Sequence, residues 1–328
     1  MDKPRILFFS TLFTPFIEED YRILSKHFPV RKLIAKNVEA LLRIPFEVLR
    51  SDISLAWFGS VYSGWMVFCA KLLGKKSIVV VAGVDASKDT EINYGIWLSP
   101  WKSVLVRYAF RNADKLLPVD PFLEKEAKRL AEYNGENITT IAFGFDASEW
   151  TPGNSRSEMI LCVAACHDED RMKKKGVEKL IAAARSLPDI PFRLIGIHPT
   201  LMEKVKKISP PNLEIISYVP RAQLLPYYQS AKVYCQPSFT EGLPNTLCEA
   251  MLCGCIPVGT IAGGIPTAIG DSGFLVPYRD QDALVHALKA ALTSPASAGT
   301  KARQRILTEF TIERREQALL KVIADLAK

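Results

Sequence analysis

Histidine is scarce in this chain: four residues in 328, at His27, His167, His198 and His286, and none is spaced with a partner for metal binding or nucleophile activation. No Gly-x-Gly-x-x-Gly follows the first apolar run, which argues against a dinucleotide oxidoreductase. The seven cysteines are odd in number, and most sit inside apolar runs, so a disulfide framework is not expected. Cys162-x3-Cys166 followed by His167 lacks a second ligand pair, and core packing is the better reading. The start, Met1-Asp-Lys-Pro-Arg-Ile-Leu-Phe-Phe-Ser10, lacks the apolar core and small-residue cleavage site of a signal peptide and reads as a strand. The longest uncharged stretch, Ile53–Ala70, is broken by Ser54, Gly59, Ser60, Ser63 and Gly64. A buried strand, a loop and a helix explain it better than a membrane span. A cytoplasmic protein is expected.

What is present is an ordinary globular composition: 48% hydrophobic, 23% charged and a formal charge of +7. Disordered, collagenous and coiled-coil classes are excluded, and the length suits two domains. Residues 1–150 carry 20 basic and 18 acidic side chains and the remainder 22 and 17, so the surplus lies mainly in the second half. It clusters at Arg171, Lys173, Lys174, Lys175 and Lys179, which suits a local phosphate site better than a nucleic-acid surface.

Short apolar runs alternate with helical patterns. Arg5–Ser10, Ile53–Phe58, Ser77–Ala82, Lys115–Val119 and Ile138–Ala142 read as strands, with helices at Glu19–His27, Trp65–Leu73, Val104–Asn112 and Leu123–Tyr133. The rhythm restarts after Asp146–Glu158, a turn-rich linker. Strands are then expected at Met159–Ala164, Phe192–Ile197, Leu213–Ile216, Val233–Gln236 and Ile256–Gly259. Helices are expected at Val177–Ser186, Ala222–Gln229, Thr246–Cys253 and Asp282–Leu292. After a small-residue turn at Ser294–Thr300, Thr311–Leu326 reads as a final helix with one buried face. The division is 1–150, 151–310 and a terminal helix 311–328. Two doubly wound α/β halves place a ligand in the cleft between them, beyond the carboxyl ends of the strands.

The segment richest in chemistry is Pro237–Gly254. A strand enters a Gly/Pro loop carrying Glu241, and a helix opens near Asn245 or Thr246 with Glu249 in its first turns. Loop amides and a helix N-terminus attract phosphate oxygens, whereas carboxylates accept hydrogen bonds from sugar hydroxyls. The local alternatives are a solvated Glu241 and a Thr246-x-x-Glu249 capping box. Asp85, at a strand end, could orient an acceptor hydroxyl or cap the next helix.

Glu241-Gly-Leu-Pro-Asn-Thr-Leu-Cys-Glu249 resembles the Glu-x7-Glu motif of GT-B retaining glycosyltransferases, family 4, the "glycosyl transferases group 1". Tyr227–Ser238, Gly263-Gly-Ile-Pro266, Gly273-Phe-Leu-Val-Pro277 and Lys174-Lys175-Gly176 are similar to neighbouring family segments, and Asn112-Ala-Asp114 and Gly144-Phe-Asp146 are weaker echoes. The resemblance implies a GT-B fold, two Rossmann-like α/β/α domains facing across a cleft, with the C-terminal helix packing back toward the N-terminal domain.

It also implies retaining transfer of a sugar from a nucleoside-diphosphate sugar to an acceptor hydroxyl. Glu249 would bind ribose and Glu241 the transferred sugar. Gly242, Leu243, Pro244, Asn245 and Thr246 would line the donor, and Lys175 and Arg171 would neutralise the diphosphate. Gly83 and Asp85 would face the acceptor, which could be a saccharide, lipid-linked or a small molecule. No cofactor and no metal ion are expected, and no Asp-x-Asp stretch is read as the metal site of the other glycosyltransferase fold. Three features depart from the family: Arg171 stands four rather than five positions before Lys175, Ala82 replaces a His, and Thr267 replaces a Glu. A sugar-nucleotide epimerase and an inactive nucleotide-sugar-binding subunit are the alternatives. Trp65, Lys71, Lys75, Lys76, Trp97 and Trp101 suit peripheral contact with a membrane face as well as they suit a core and solvated rim.

Overall fold

The computed structural model describes residues 3–328 and divides them into two compact units. The first runs up to Gly144 and takes back Ile312–Lys328; the second is Phe145–Thr311. The boundary thus lies six positions before the 150/151 division, and the terminal helix belongs to the first unit.

The first unit is built on five parallel strands: β1 (Ile6–Ser10), β2 (Val30–Ile34), β3 (Ile53–Trp57), β4 (Lys76–Val81) and β5 (Lys115–Pro118), in spatial order β2-β1-β3-β4-β5. β1 and β3 are buried along their whole length, so they read as unbroken apolar runs. β2 was not expected. It is an edge strand that buries only Leu33, and Arg31 and Lys32 erase the apolar signal. The helix Asn37–Leu49 was also missed, because Pro45 interrupts it and apolar residues stand on two of its faces. Ile138–Ala142 forms no strand of its own. It makes one bridge to Leu116 and runs beside β5 through hydrogen bonds from Thr139 and Ile141.

The second unit has six parallel strands: β6 (Ser157–Cys166), β7 (Phe192–Ile197), β8 (Leu213–Ser217), β9 (Ala231–Gln236), β10 (Ile256–Thr260) and β11 (Phe274–Val276). Their order is β11-β10-β9-β6-β7-β8. The chain works outward from β6 to β8, then returns to β9 beside β6 and works outward the other way. That reversal between β6 and β9 is a topological switch point. It leaves a crevice at the carboxyl ends of those two strands, because their following loops diverge to opposite sides. Ala296–Glu309 is a helix that covers most of the expected small-residue turn, held by Gly299, Ala302 and Ile306 against the core.

Helix Ile312–Leu326 buries Leu319, Val322 and Ile323 on the first unit, together with Arg315. Arg315 donates to both oxygens of the buried Asp20, at 2.5 and 2.6 Å, and to the carbonyls of Ile141 and Ala142. Its guanidinium lies over the Trp57 and Phe143 rings. All seven cysteines are buried free thiols. Among the described residues no helix is long and apolar enough to cross a membrane.

Candidate active site

Glu241 and Lys175 are 66 positions apart in sequence and meet at the switch point of the second sheet. β6 ends at Cys166, and the loop beyond it leads to the short helix Glu169–Lys174, capped by Asp168, whose Oδ1 accepts from the Arg171 amide at 2.7 Å. β9 ends at Gln236 and turns into the loop 237–244. Two contacts lock these loops together. The Phe239 amide donates to the Lys174 carbonyl at 2.7 Å, and Gly176, at φ +66°, lies so close to Pro237 that a Cβ would stand 1.8 Å from its carbonyl oxygen. Only glycine tolerates both the left-handed backbone and that approach. On the other side Gly263, at φ +55°, would carry a Cβ 2.0 Å from the Glu241 carbonyl, which accepts from the Gly264 amide.

These constraints hold the Glu241 carboxylate in a buried cradle of donors. Oε1 accepts from Lys175 Nζ at 2.7 Å, Ser238 Oγ at 2.9 Å and Gln236 Nε2 at 3.3 Å, and Lys174 Nζ stands 3.5 Å from Oε2. Burial pushes the carboxyl up, but the two ammonium groups and the Lys175 and Ser238 hydrogen bonds outweigh it and hold Glu241 at about 2. It is ionised at any physiological pH. The solvated-loop reading of Glu241 is therefore not what the structure shows. Lys174 was given no role of its own from sequence, whereas its side chain is buried against Glu241. A chain of buried polar groups backs the cradle: Tyr234 donates to Gln236, and Gln236 to Ser238.

Glu249 lies on helix Asn245–Leu252, whose N-cap is Pro244 and carries no side-chain cap. Thr246 is inside the helix, so the capping box, the local alternative for Glu249, does not form. The Glu249 carboxylate turns instead to Arg221 Nε at 2.7 Å and Tyr228 Oη at 3.1 Å. Burial raises its pKa, with Arg221 and Tyr228 acting in the opposite direction. Arg221 also pairs with Glu149 and lies over the Trp150 ring. A carboxylate has about four lone-pair positions, so two neighbours leave capacity for hydroxyl donors. Neither Arg221 nor Tyr228 was singled out from sequence, because each becomes a partner only through the packing of Glu249.

Gly242 and Asn245 are half-buried beside Glu241, Leu243 and Pro244 are buried, and the Asn245 Oδ1 has no partner among the described residues. Arg171 is half-buried, and its guanidinium makes no hydrogen bond or ion pair with any described residue. Two Asp-x-Asp spacings do occur, at Asp168-Glu-Asp170 and Asp280-Gln-Asp282, but in each the first carboxylate caps a helix. In the first unit Asp85 is buried, and its oxygens accept from the amides of Gly59, Ala82 and Gly83. Burial lifts it to about 6 against those hydrogen bonds. Its carboxylate is thus occupied with its own loop and that of Gly59. Trp97 is buried as well, donating to the Asp85 carbonyl at 2.7 Å.

Glu241 thus meets two lysines at the switch point of a parallel sheet, on the loop that leads into helix Asn245–Leu252. Residues 157–294 match the family described as "Glycosyl transferases group 1". That match falls inside the second unit and covers most of it. Among curated relatives, the D-inositol 3-phosphate glycosyltransferase of Thermobifida fusca is 26% identical over 201 residues, 52% of this chain and 46% of that protein. The alpha-maltose-1-phosphate synthase of Mycolicibacterium smegmatis is 23% identical over 256 residues, 68% of this chain and 65% of that one. The chain thus spans about half the length of the first relative and just under two thirds of the second.

Among solved structures, sucrose-phosphate synthase from Thermosynechococcus elongatus superposes with a TM-score of 0.80 at 16% identity, covering 98% of each chain. Anabaena Alr3699/HepE in complex with UDP gives 0.77 at 13%, covering 98% of this chain and 100% of that one. Those likenesses show the fold: two parallel-sheet α/β domains of the GT-B type found in glycosyltransferases. The Glu241 loop, the Glu249 helix and the Lys175 turn all fall inside the span 157–294.

Proposed function

We propose that this chain is a family 4 retaining glycosyltransferase, moving a sugar from a nucleoside-diphosphate sugar to an acceptor hydroxyl and using its own cations where other enzymes use a metal ion. The observation that carries the reading is the Glu241 carboxylate held ionised between Lys174 and Lys175 at the switch point. Two ammonium groups against one carboxylate leave a positive surplus, and Arg171 adds an unengaged guanidinium. Such a site attracts a diphosphate and stabilises the charge that grows on it as the glycosidic C–O bond breaks.

In this reading the diphosphate lies against Lys175, Arg171 and the N-terminus of helix Asn245–Leu252, with Gly242 to Thr246 along the sugar and phosphates. Glu241 accepts hydroxyls of the transferred sugar, and Glu249 accepts those of ribose. The acceptor oxygen bonds to the anomeric carbon on the face from which the nucleotide departs, and the departing phosphate oxygen takes the acceptor's proton. The configuration is retained, and no histidine is needed as base. UDP is bound by the Anabaena relative and makes a first donor base to try. A saccharide, free or lipid-linked, or a small molecule is the acceptor class. Gly83 and Asp85, whose loop is held by the Asp85 carboxylate, are the residues proposed on the acceptor side.

The test is nucleotide release from a panel of nucleoside-diphosphate sugars, with and without acceptors, by wild type, Glu241→Gln, Lys175→Met and Lys174→Met. Each substitution is expected to lower turnover by about 10²-fold or more, as removal of a preorganised charge partner does. The anomeric configuration of the product is read by NMR. Wild-type turnover by Glu241→Gln, or an inverted product, overturns the mechanism. Nucleotide release that proceeds equally without any acceptor makes the reaction an epimerisation. Donor binding without turnover makes the chain a binding subunit.

A further inference from the structure

The helix Asn37–Leu49 has two apolar faces. One, Ala40, Ile44 and Val48, is buried. The other consists of Val38, Leu42, Phe46 and Leu49, each more than half exposed, with Pro45 among them. At 100° per residue this second face spans a continuous arc, and the charged Glu39, Arg43 and Glu47 lie on the remaining arc. A helix that only covers a sheet needs one apolar stripe. The second stripe therefore requires another explanation.

It continues across the neighbouring helices. Trp65, on helix Val61–Leu72, donates its Nε1 proton to the Leu41 carbonyl and stacks on Phe68. Phe68 in turn meets Tyr108 of helix Pro100–Asn112. Leu72, 75% exposed, and Trp101, 61% exposed, extend the patch along those two helices. Right-handed crossovers place all three helices on the same face of the first sheet, so the apolar groups share one surface.

The charge on that surface is one-sided. Residues 37–50, 61–76 and 100–112 hold eight basic and two acidic side chains, a local surplus of six in a half whose net is only +2. Carboxylates meet some of it: Glu39 pairs Arg43, Asp52 lies by Lys75, Asp114 by Lys76 and Glu132 by Arg107, while Glu47 reaches out to Arg31. Among the described residues Arg50, Lys71 and Lys102 form no ion pair, and Arg50 and Lys102 lie over the exposed Phe46 and Trp101 rings. Apolar side chains ringed by cations that carry their own apolar stems match the boundary between headgroups and acyl chains of an anionic bilayer. A second copy of the chain would bring the same positive surplus against it.

We propose that the surface formed by helices Asn37–Leu49, Val61–Leu72 and Pro100–Asn112 docks the protein on anionic phospholipid membranes, with Leu42, Phe46, Leu72 and Trp101 entering the interface and Arg50, Lys71 and Lys102 meeting the headgroups. This is independent of the reaction at Glu241.

Flotation of the full chain with vesicles of equal parts phosphatidylglycerol and phosphatidylcholine, and with phosphatidylcholine alone, tests it. Binding to the anionic vesicles is expected, weakened by salt and accompanied by a blue shift of tryptophan emission that Trp101→Phe diminishes. Leu42→Ser/Phe46→Ser and Arg50→Glu/Lys102→Glu should each lower binding by about tenfold or more, with circular dichroism and thermal midpoint unchanged. Leu42, Phe46, Arg50 and Trp101 are exposed and Lys102 is half-buried with no ion pair among the described residues, so the variants are expected to fold. Absence of wild-type binding to anionic vesicles overturns the proposal, as does undiminished binding by both double variants. Sedimentation showing a dimer that Leu42→Ser/Phe46→Ser dissolves would assign the surface to self-association instead.

Discussion

Arg315→Met is the most demanding test of how the C-terminal helix is held. Arg315 is 3% exposed and faces an Asp20 with no exposure at all. Two charge-assisted hydrogen bonds join them, and two more go to the Ile141 and Ala142 carbonyls. Methionine fills much of the same volume between Trp57 and Phe143, so packing changes little. The loss is electrostatic: a buried carboxylate without its counter-charge and two carbonyls without a donor. Breaking a buried pair on one side costs about 3–5 kcal/mol. For a unit of this size that is a fall in thermal midpoint of about 6–20 °C.

The loss should appear in urea unfolding followed by tryptophan fluorescence, and as faster proteolysis of the segment after Thr311. Adding Asp20→Asn removes the unpaired charge, so the double variant should recover at least about 1 kcal/mol. An Arg315→Met protein within about 1 kcal/mol of wild type would refute the reasoning. So would a double variant no more stable than the single one.

Two further outcomes follow from the cradle around Glu241. Gly263→Ala places a methyl 2.0 Å from the Glu241 carbonyl at φ +55°. The loop must move, with a loss of about 1–3 kcal/mol and of turnover, whereas Gly74→Ala, at a similar φ but with open space around it, should cost only its backbone strain; equal losses in urea unfolding would sink the close-contact argument. Glu241 itself sits at about 2 against its ordinary 4.5. A depressed carboxylate stabilises the folded state above its unfolded value and loses that contribution as pH falls toward the folded one. Stability should therefore drop by about 3 kcal/mol between about pH 5 and pH 2 through this group alone. Glu241→Gln should flatten that part of the profile, and an unchanged slope would show that the lysines do not act on it.

Local pattern was enough to show the alternation of strands and helices, because β1, β3, β4 and β9 are buried on both faces and their apolar runs need no tertiary context. It failed at β2, where an edge strand needs few apolar residues, and at Asn37–Leu49, whose two apolar faces blur the helical period. It also failed at Ala296–Glu309, where small residues that usually mark a turn allow close helix packing. The Glu-x7-Glu spacing and the Lys-Gly turn were equally legible, being contiguous and tied to backbone shape at Gly176 and Gly263.

The partners that tune those groups were not legible. Lys174 reaches Glu241 across 67 positions, Arg221 reaches Glu249 across 28, and Arg315 reaches Asp20 across 295. Helix and strand periods are local properties of the chain, so sequence alone determined the two parallel-sheet layers and the loop that carries the carboxylates. Which cation is buried beside which carboxylate depends on desolvation and Coulomb attraction between segments that only the folded sheet order brings together. The tertiary structure alone decided that.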